Sequence, residues 1–82
     1  MELVALTEFI VKSLVINKDD VSVKEFPTDE ENTILIQVMI NEEDMGRVIG
    51  KGGKVANSIR NLVQVSSSIN DKRKVKINIE NF

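Results

Sequence analysis

All four glycines of this 82-residue chain fall within eight consecutive positions, Gly46-Arg47-Val48-Ile49-Gly50-Lys51-Gly52-Gly53. Three glycines in the four positions 50–53 rule out a continuous helix there, since each costs about 1 kcal/mol relative to alanine inside one. Regular apolar spacing on both sides makes the cluster a tight turn between two helices. Glycine at both ends, Gly46 and Gly53, is expected to supply positive φ and room for another backbone to approach. The second helix is expected to start near Lys54, so its unpaired N–H groups and positive end face the turn. An anion, phosphate first, suits such a place. Arg47, Lys51 and Lys54 add cations, and no acid occurs between Asp44 and Asp71.

The charge distribution points the same way. The formal net charge is only −2, yet residues 1–45 carry three basic against eleven acidic side chains and residues 46–82 carry eight against two. A ligand responds to local potential, not to the sum; taken alone, the split also suits two ordinary solvated surfaces. Cys and His are absent, which excludes disulfides, zinc sites and most nucleophilic or redox catalysis. Tyr and Trp are absent too, leaving Phe9, Phe26 and Phe82, too few for an aromatic platform that stacks bases. With 41% apolar and 29% charged residues the chain has a globular composition, and its length suits one domain over residues 1–82. Residues 1–16 carry Glu2, Glu8 and Lys12 and are too short for a membrane span, so neither an export signal nor a membrane anchor is expected, and the cytoplasm is the expected location.

Periodicity predicts six elements. Leu3, Leu6, Phe9, Ile10 and Leu14 recur at helical spacing over residues 3–16. Val21, Val23 and Phe26 mark a strand closed by Pro27, and residues 28–32 make a hairpin connection. Thr33 to Ile40 reads as a second strand, with Ile34, Ile36, Val38 and Ile40 on one side; Leu35 and Met39 on the other suggest that both faces are covered. Asn41 followed by Asp44 resembles an N-cap with an acidic third residue, which starts a short helix. Val55, Ile59, Leu62 and Val63 restore helical spacing beyond the glycines, and it fades at Ser66-Ser67-Ser68. Val75, Ile77 and Ile79 alternate with Lys74, Lys76, Asn78 and Glu80 as the last strand. The class is α+β in the order αββααβ.

Spacing discriminates among phosphate motifs. A Walker loop counted from Gly46 needs a second glycine where Lys51 stands, and no Ser or Thr follows Lys54. A dinucleotide fingerprint counted from Gly50 and Gly52 needs a third glycine where Val55 stands. The segment Val48-Ile49-Gly50-Lys51-Gly52-Gly53-Lys54 instead resembles the KH signature, an aliphatic pair, then GXXG, then a basic residue opening a helix with spaced aliphatics. In KH domains that loop clamps the backbone of about four nucleotides of single-stranded nucleic acid. The extra helix and strand lie upstream of the core, at residues 3–16 and 21–26, which is the type II order. The resemblance therefore implies a three-stranded mixed sheet packed on one side by three helices. Gly-Arg-Val-Ile-Gly ahead of the loop, in a chain of this size, is similar to the bacterial KhpA family of small RNA-binding proteins. That similarity implies single-stranded RNA as ligand, a role as RNA chaperone or post-transcriptional regulator, and pairing as a homodimer or with a larger KhpB-like protein. It implies no enzyme activity, metal or cofactor.

By the same resemblance Gly50 and Gly53 shape the turn, Gly52 lets the RNA backbone pass, and Lys51, Lys54 and Arg47 neutralise phosphates. Val48, Ile49 and Ile40 are candidates for an apolar floor under the bases, with core burial the competing expectation for Ile40. Arg60 and Lys72 to Lys76 extend the basic field or simply protect an edge strand from aggregation. Leu62 widens the helical stripe beyond what one small sheet needs; core burial is the first expectation for it and a dimer seam the alternative. A second function class stays open beside RNA binding: a protein-interaction module pairing with another KH-type protein, its loop vestigial.

Overall fold

The computed structural model of the protein describes residues 2–82. Its elements are α1 (Leu3–Leu14), β1 (Ser22–Pro27), β2 (Thr33–Ile40), α2 (Met45–Ile49), α3 (Lys54–Asn70) and β3 (Lys74–Asn81), with single 3-10 turns at Lys18–Asp20, Glu42–Asp44 and Lys51–Gly53. The sheet order is β1-β2-β3. Strands β1 and β2 are antiparallel, with Val23 opposite Val38, and β2 and β3 are parallel, with Ile36 beside Ile77. No helix among the described residues is long and apolar enough to cross a membrane.

Strand alternation decides where the core lies. Ile34, Ile36, Val38 and Ile40 of β2 are buried on one face, joined by Val23 of β1 and by Ile77 and Ile79 of β3. The helices cover that face with Leu3, Val11, Val48, Ala56, Ile59 and Val63. The opposite face differs from the expectation that both are covered. Leu35, Gln37 and Met39 are half-exposed there, and their cross-strand neighbours Lys24, Phe26, Lys76 and Asn78 are exposed. All three helices pack on the other side, and the polar ladder Asn78 to Gln37 (3.1 Å) to Glu80 (3.0 Å) suits a solvated face.

Two boundaries differ from the sequence expectation for identifiable reasons. Helix α1 ends at Leu14, because the Asp44 carboxylate captures the amides of Ile16 and Asn17 at 3.0 Å each. Its buried line is Leu3, Thr7, Val11 and, just beyond the helix, Val15, spaced by four, while Phe9 is 65% exposed. Thr7 can occupy that line because its hydroxyl donates to the Leu3 carbonyl (2.8 Å). Helix α3 does not fade at the serines but runs to Asn70. Ser67 is fully buried, its hydroxyl donates to the Arg73 carbonyl (2.7 Å), and its own carbonyl accepts from Asp71 N–H (2.8 Å). Lys72, at φ 56°, then turns the chain into β3. The buried face of α3 is Ala56, Ile59, Val63 and Ser67, which leaves Leu62 57% exposed instead of buried.

Candidate functional site

The turn between α2 and α3 is built from positive-φ glycines. Gly50 (φ 75°) ends α2, Gly52 (φ 63°) lies inside the 3-10 turn, and Gly53 (φ 79°) opens α3. Gly50 is doubly required. A Cβ there would lie 2.4 Å from Val55 Cγ2 and 2.9 Å from Val55 N, so any side chain collides with the start of α3. Gly52 and Gly53 have open space around them and are held to glycine by φ alone. Gly46 departs from the expectation of positive φ at both ends: it lies inside α2, is exposed, and accepts at its carbonyl from Gly50 N–H (3.0 Å).

Donors and cations converge on this turn. Gly53 N–H donates to the Gly50 carbonyl (3.2 Å), whereas the amides of Lys51 and Gly52 donate to no acceptor among the described residues. Lys51 and Lys54 are exposed, and neither makes an ion pair there. The start of the 17-residue α3 has no side-chain cap, so its partial positive charge is unanswered.

Arg47 is placed differently from the two lysines. Its Nη1 donates to the Glu43 carbonyl (3.0 Å) and to Asp44 Oδ1 (3.1 Å), which ties the guanidinium back along α2. Asp44 is fully buried and also accepts from Asn17 Nδ2 (3.0 Å). The Ile16 amide, then the Asn17 amide and side chain and the Arg47 charge, hold its carboxyl below the usual aspartate range against the opposing effect of burial. Asn41 caps the Glu42–Asp44 turn as its spacing suggested, accepting from Glu43 N–H (2.8 Å), whereas Asp44, expected as the acidic third residue of that cap, bonds instead across 28 residues to the end of α1.

The apolar floor expected from Val48, Ile49 and Ile40 is not assembled. Val48 and Ile40 are wholly inside the core, and only Ile49 is half-exposed at the foot of the loop. The wider basic field is partly neutralised. Lys76 pairs with Glu30 (2.6 Å), and Arg73 pairs with Asp71 (3.3 Å) and Glu25 (3.6 Å). Arg60 and Gln64 are turned to the outer edge of β3. Arg60 Nε donates to the Ile77 carbonyl (3.3 Å), and Gln64 donates to the Arg73 carbonyl (3.0 Å) and accepts from Val75 N–H (2.9 Å). Beyond Leu62, α3 exposes Val65 (56%) and Ile69 (70%) at spacings of three and four.

Comparison with known proteins follows the same architecture. The family profile described as KhpA/KhpB, KH domain, matches residues 4–79. A protein named RNA-binding protein KhpA from Clostridium perfringens is 40% identical over 74 residues, covering 90% of this chain and 95% of that protein. A protein of the same name from Listeria monocytogenes is 42% identical over 64 residues, covering 78% and 82% respectively. Among solved structures, Era from Aquifex aeolicus superposes with a TM-score of 0.71 at 16% identity, over 98% of this chain and 30% of Era. Era in complex with MgGDPNP and a segment of 16S ribosomal RNA gives 0.68 at 17% identity, over 96% and 29%. At such identities the likeness to Era is one of fold alone. The αββααβ order, the mixed three-stranded sheet and the glycine turn between its adjacent helices constitute the type II KH fold. With the profile spanning nearly its whole length and relatives at this identity, the chain belongs to the KhpA/KhpB family of KH-domain proteins.

Proposed function

We propose that this protein binds single-stranded RNA at the turn between α2 and α3 and serves as an RNA chaperone or post-transcriptional regulator, without catalysing a reaction. One observation carries the reading. Among the described residues Lys51 and Lys54 have no acidic partner, and they stand beside two undonated amides and the positive end of α3. A backbone phosphate satisfies all of these at once, through charge-assisted hydrogen bonds that a neutral ligand does not offer. The relatives' name, RNA-binding protein KhpA, supports the same ligand. Gly50, Gly52 and Gly53 give the loop its shape, Ile49 supplies an apolar edge, and Val48 anchors α2 from the core. Arg47 reaches phosphate only through the nitrogens that Glu43 and Asp44 leave free.

Salt dependence tests the assignment. Two phosphate-facing lysines predict a log–log slope of about −1.4 on single-stranded RNA, and engagement of Arg47 takes it to about −2. Replacing Lys51 and Gly52 together by Asp abolishes binding and keeps the fold, since Asp tolerates the left-handed region that Gly52 occupies. Unchanged binding refutes the reading.

Pairing is the second part of the proposal, and the exposed face of α3 favours it. Leu62, Val65 and Ile69 form one apolar stripe on an otherwise polar helix surface. A second copy of the chain, or a KhpB-like protein, covers this stripe and brings a second loop to the same RNA, so two weak sites act with a raised effective concentration. Were RNA binding to fail the test above, this stripe would leave a protein-interaction module as the function.

A further inference from the structure

The face of the sheet turned away from the helices holds a second set of groups suited to a nucleic-acid strand. Strand register puts Phe26, Leu35 and Lys76 in one row across it and Lys24, Gln37 and Asn78 in the next. Phe26 is 44% exposed, and Lys24, Lys76 and Asn78 are exposed as well. Neither Phe26 nor Leu35 belongs to the core. Lys24 stands two residues from Phe26 on the same strand, about 7 Å along it, and Lys76 lies two strands away, about 10 Å.

Charge and polarity select the ligand. By alternation Lys24, Lys74 and Lys76 belong to this face, against Glu80 alone from the strands. Glu80 accepts from Gln37 Nε2 (3.0 Å), and Glu30 of the hairpin accepts from Lys76 (2.6 Å). Lys24 and Lys74 make no ion pair among the described residues. The amide row of Gln37 and Asn78 (3.1 Å) separates Phe26 and Leu35 from Met39, so this face has no continuous apolar seam like that of α3. A stable protein interface has an apolar, uncharged centre. A base needs one ring to lie on, and its edge meets an amide. One ring is no platform for gripping a strand unaided, but it suffices for a nucleotide of a strand already held.

We propose that the open sheet face is an auxiliary contact for the bound strand, at which one base stacks on Phe26 and a neighbouring phosphate meets Lys24. This rests on the RNA-binding reading, because so small a site is occupied only at the effective concentration that tethering to the loop supplies. The helices, and the loop with them, lie on the opposite side of the sheet, so strand length decides whether both contacts are reached. A stacked twenty-mer measures about 65 Å at 3.4 Å per nucleotide, against a longest molecular dimension of 35 Å. A four-mer, about 10 Å by the same rise, is shorter than the smallest dimension of 21 Å.

The experiment measures the affinity of the full chain for random-sequence single-stranded RNAs of four and twenty nucleotides across a salt series, for the wild type, Phe26→Leu, Phe26→Tyr, Lys24→Ala and Lys51→Ala. Phe26→Leu keeps apolar bulk and loses the ring. It is expected to weaken the twenty-mer about tenfold, the equivalent of about 1.4 kcal/mol for one stacked base, and to leave the four-mer unchanged. Phe26→Tyr keeps wild-type affinity for both lengths. Lys24→Ala lowers the magnitude of the salt slope by about 0.7 for the twenty-mer alone, whereas Lys51→Ala weakens both. Wild-type affinity of Phe26→Leu for the twenty-mer, with the Lys51 effect intact, overturns the inference and leaves the RNA-binding reading standing. An equal loss at both lengths marks an effect through the fold and overturns it too. A loss in Phe26→Tyr as large as that in Phe26→Leu overturns the stacking assignment. Unchanged RNA affinity in Phe26→Leu together with a smaller sedimenting species assigns the face to a second copy of the chain and overturns the RNA contact. No effect of Lys51→Ala at either length overturns the reading on which the contact depends.

Discussion

Substituting Gly50 by alanine tests whether the loop is shaped by steric necessity. The added Cβ would lie 2.4 Å from Val55 Cγ2 and 2.9 Å from both Val55 Cβ and Val55 N. Rotating the valine relieves the first contact but neither of the others, so α3 itself must shift. At φ 75° an L-residue costs about 1–2 kcal/mol, and insertion of an extra carbon against packed atoms costs about 1–3 kcal/mol. The expected loss is therefore about 2–5 kcal/mol, a large share of the roughly 4–12 kcal/mol that a chain of this length holds in total. Gly52→Ala and Gly53→Ala meet open space and should lose only the conformational part, about 1–2 kcal/mol each. Urea titration followed by far-ultraviolet circular dichroism measures this, the chain having no Trp or Tyr to report by fluorescence. Combining Gly50→Ala with Val55→Ala removes the γ-carbons and should restore part of the loss. If Gly50→Ala costs no more than Gly52→Ala, or if Val55→Ala gives no rescue, the steric argument is wrong.

Two further outcomes follow from the same geometry. Asp44 ionises below its ordinary value of 3.8 in the folded chain, so its contribution to stability is present above that value and is lost as the pH falls through 3.8 towards the folded value. Asp44→Asn should lower the thermal midpoint at pH 7 and flatten the decline between about pH 5 and pH 2; parallel acid limbs for the two proteins would refute it. Glu30, lowered chiefly by its hydrogen bond from Lys76, titrates in the same sense on the exposed surface, and Glu30→Gln is the control that should change little. For the pairing surface, sedimentation should show a smaller species for Leu62→Asp than for the wild type, with unchanged circular dichroism. Equal mass for the two ends the dimer argument.

What the sequence disclosed was local. The glycine turn, the alternation in β2 and β3 and the upstream helix and strand each depend on residues within a few positions of one another, and those periodicities survive in the structure. The differences lie where a distant group intervened. The apolar spacing of α1 implied a helix to residue 16, but a carboxylate 28 positions away takes the amide of Ile16. The three serines implied fraying, yet Ser67 is buried against the Arg73 carbonyl and holds the helix end together. Within the candidate site, Lys51 and Lys54 were readable because nothing near them in sequence is acidic. The tethering of Arg47 was partly readable too, since Asp44 stands three residues before it on the same helical face. That Val48 and Ile40 both turn inward was not, because only the pleat of β2 and its register with its neighbours fix which side faces the helices.

The role of Asp44 extends from stability to the loop. Helix α2 has five residues, far below the length at which a helix persists by itself, and it carries Gly46 as well. Its rigidity must come from outside. Val48 supplies an apolar anchor in the core, and Asp44, seated immediately before α2, fixes its start to the end of α1 through three N–H donors of Ile16 and Asn17. Arg47 closes the arrangement from within α2. The upstream helix therefore does more than cover one side of the sheet. It sets where α2 begins, and with α2 bounded by Gly50 only one turn later, it sets where the amides of Lys51 and Gly52, proposed above to meet phosphate, lie. A change at residues 15–17 should on this argument alter the loop's affinity for a polyanion without touching a single cation, because the position of the donors, and not their charge, is what that contact controls.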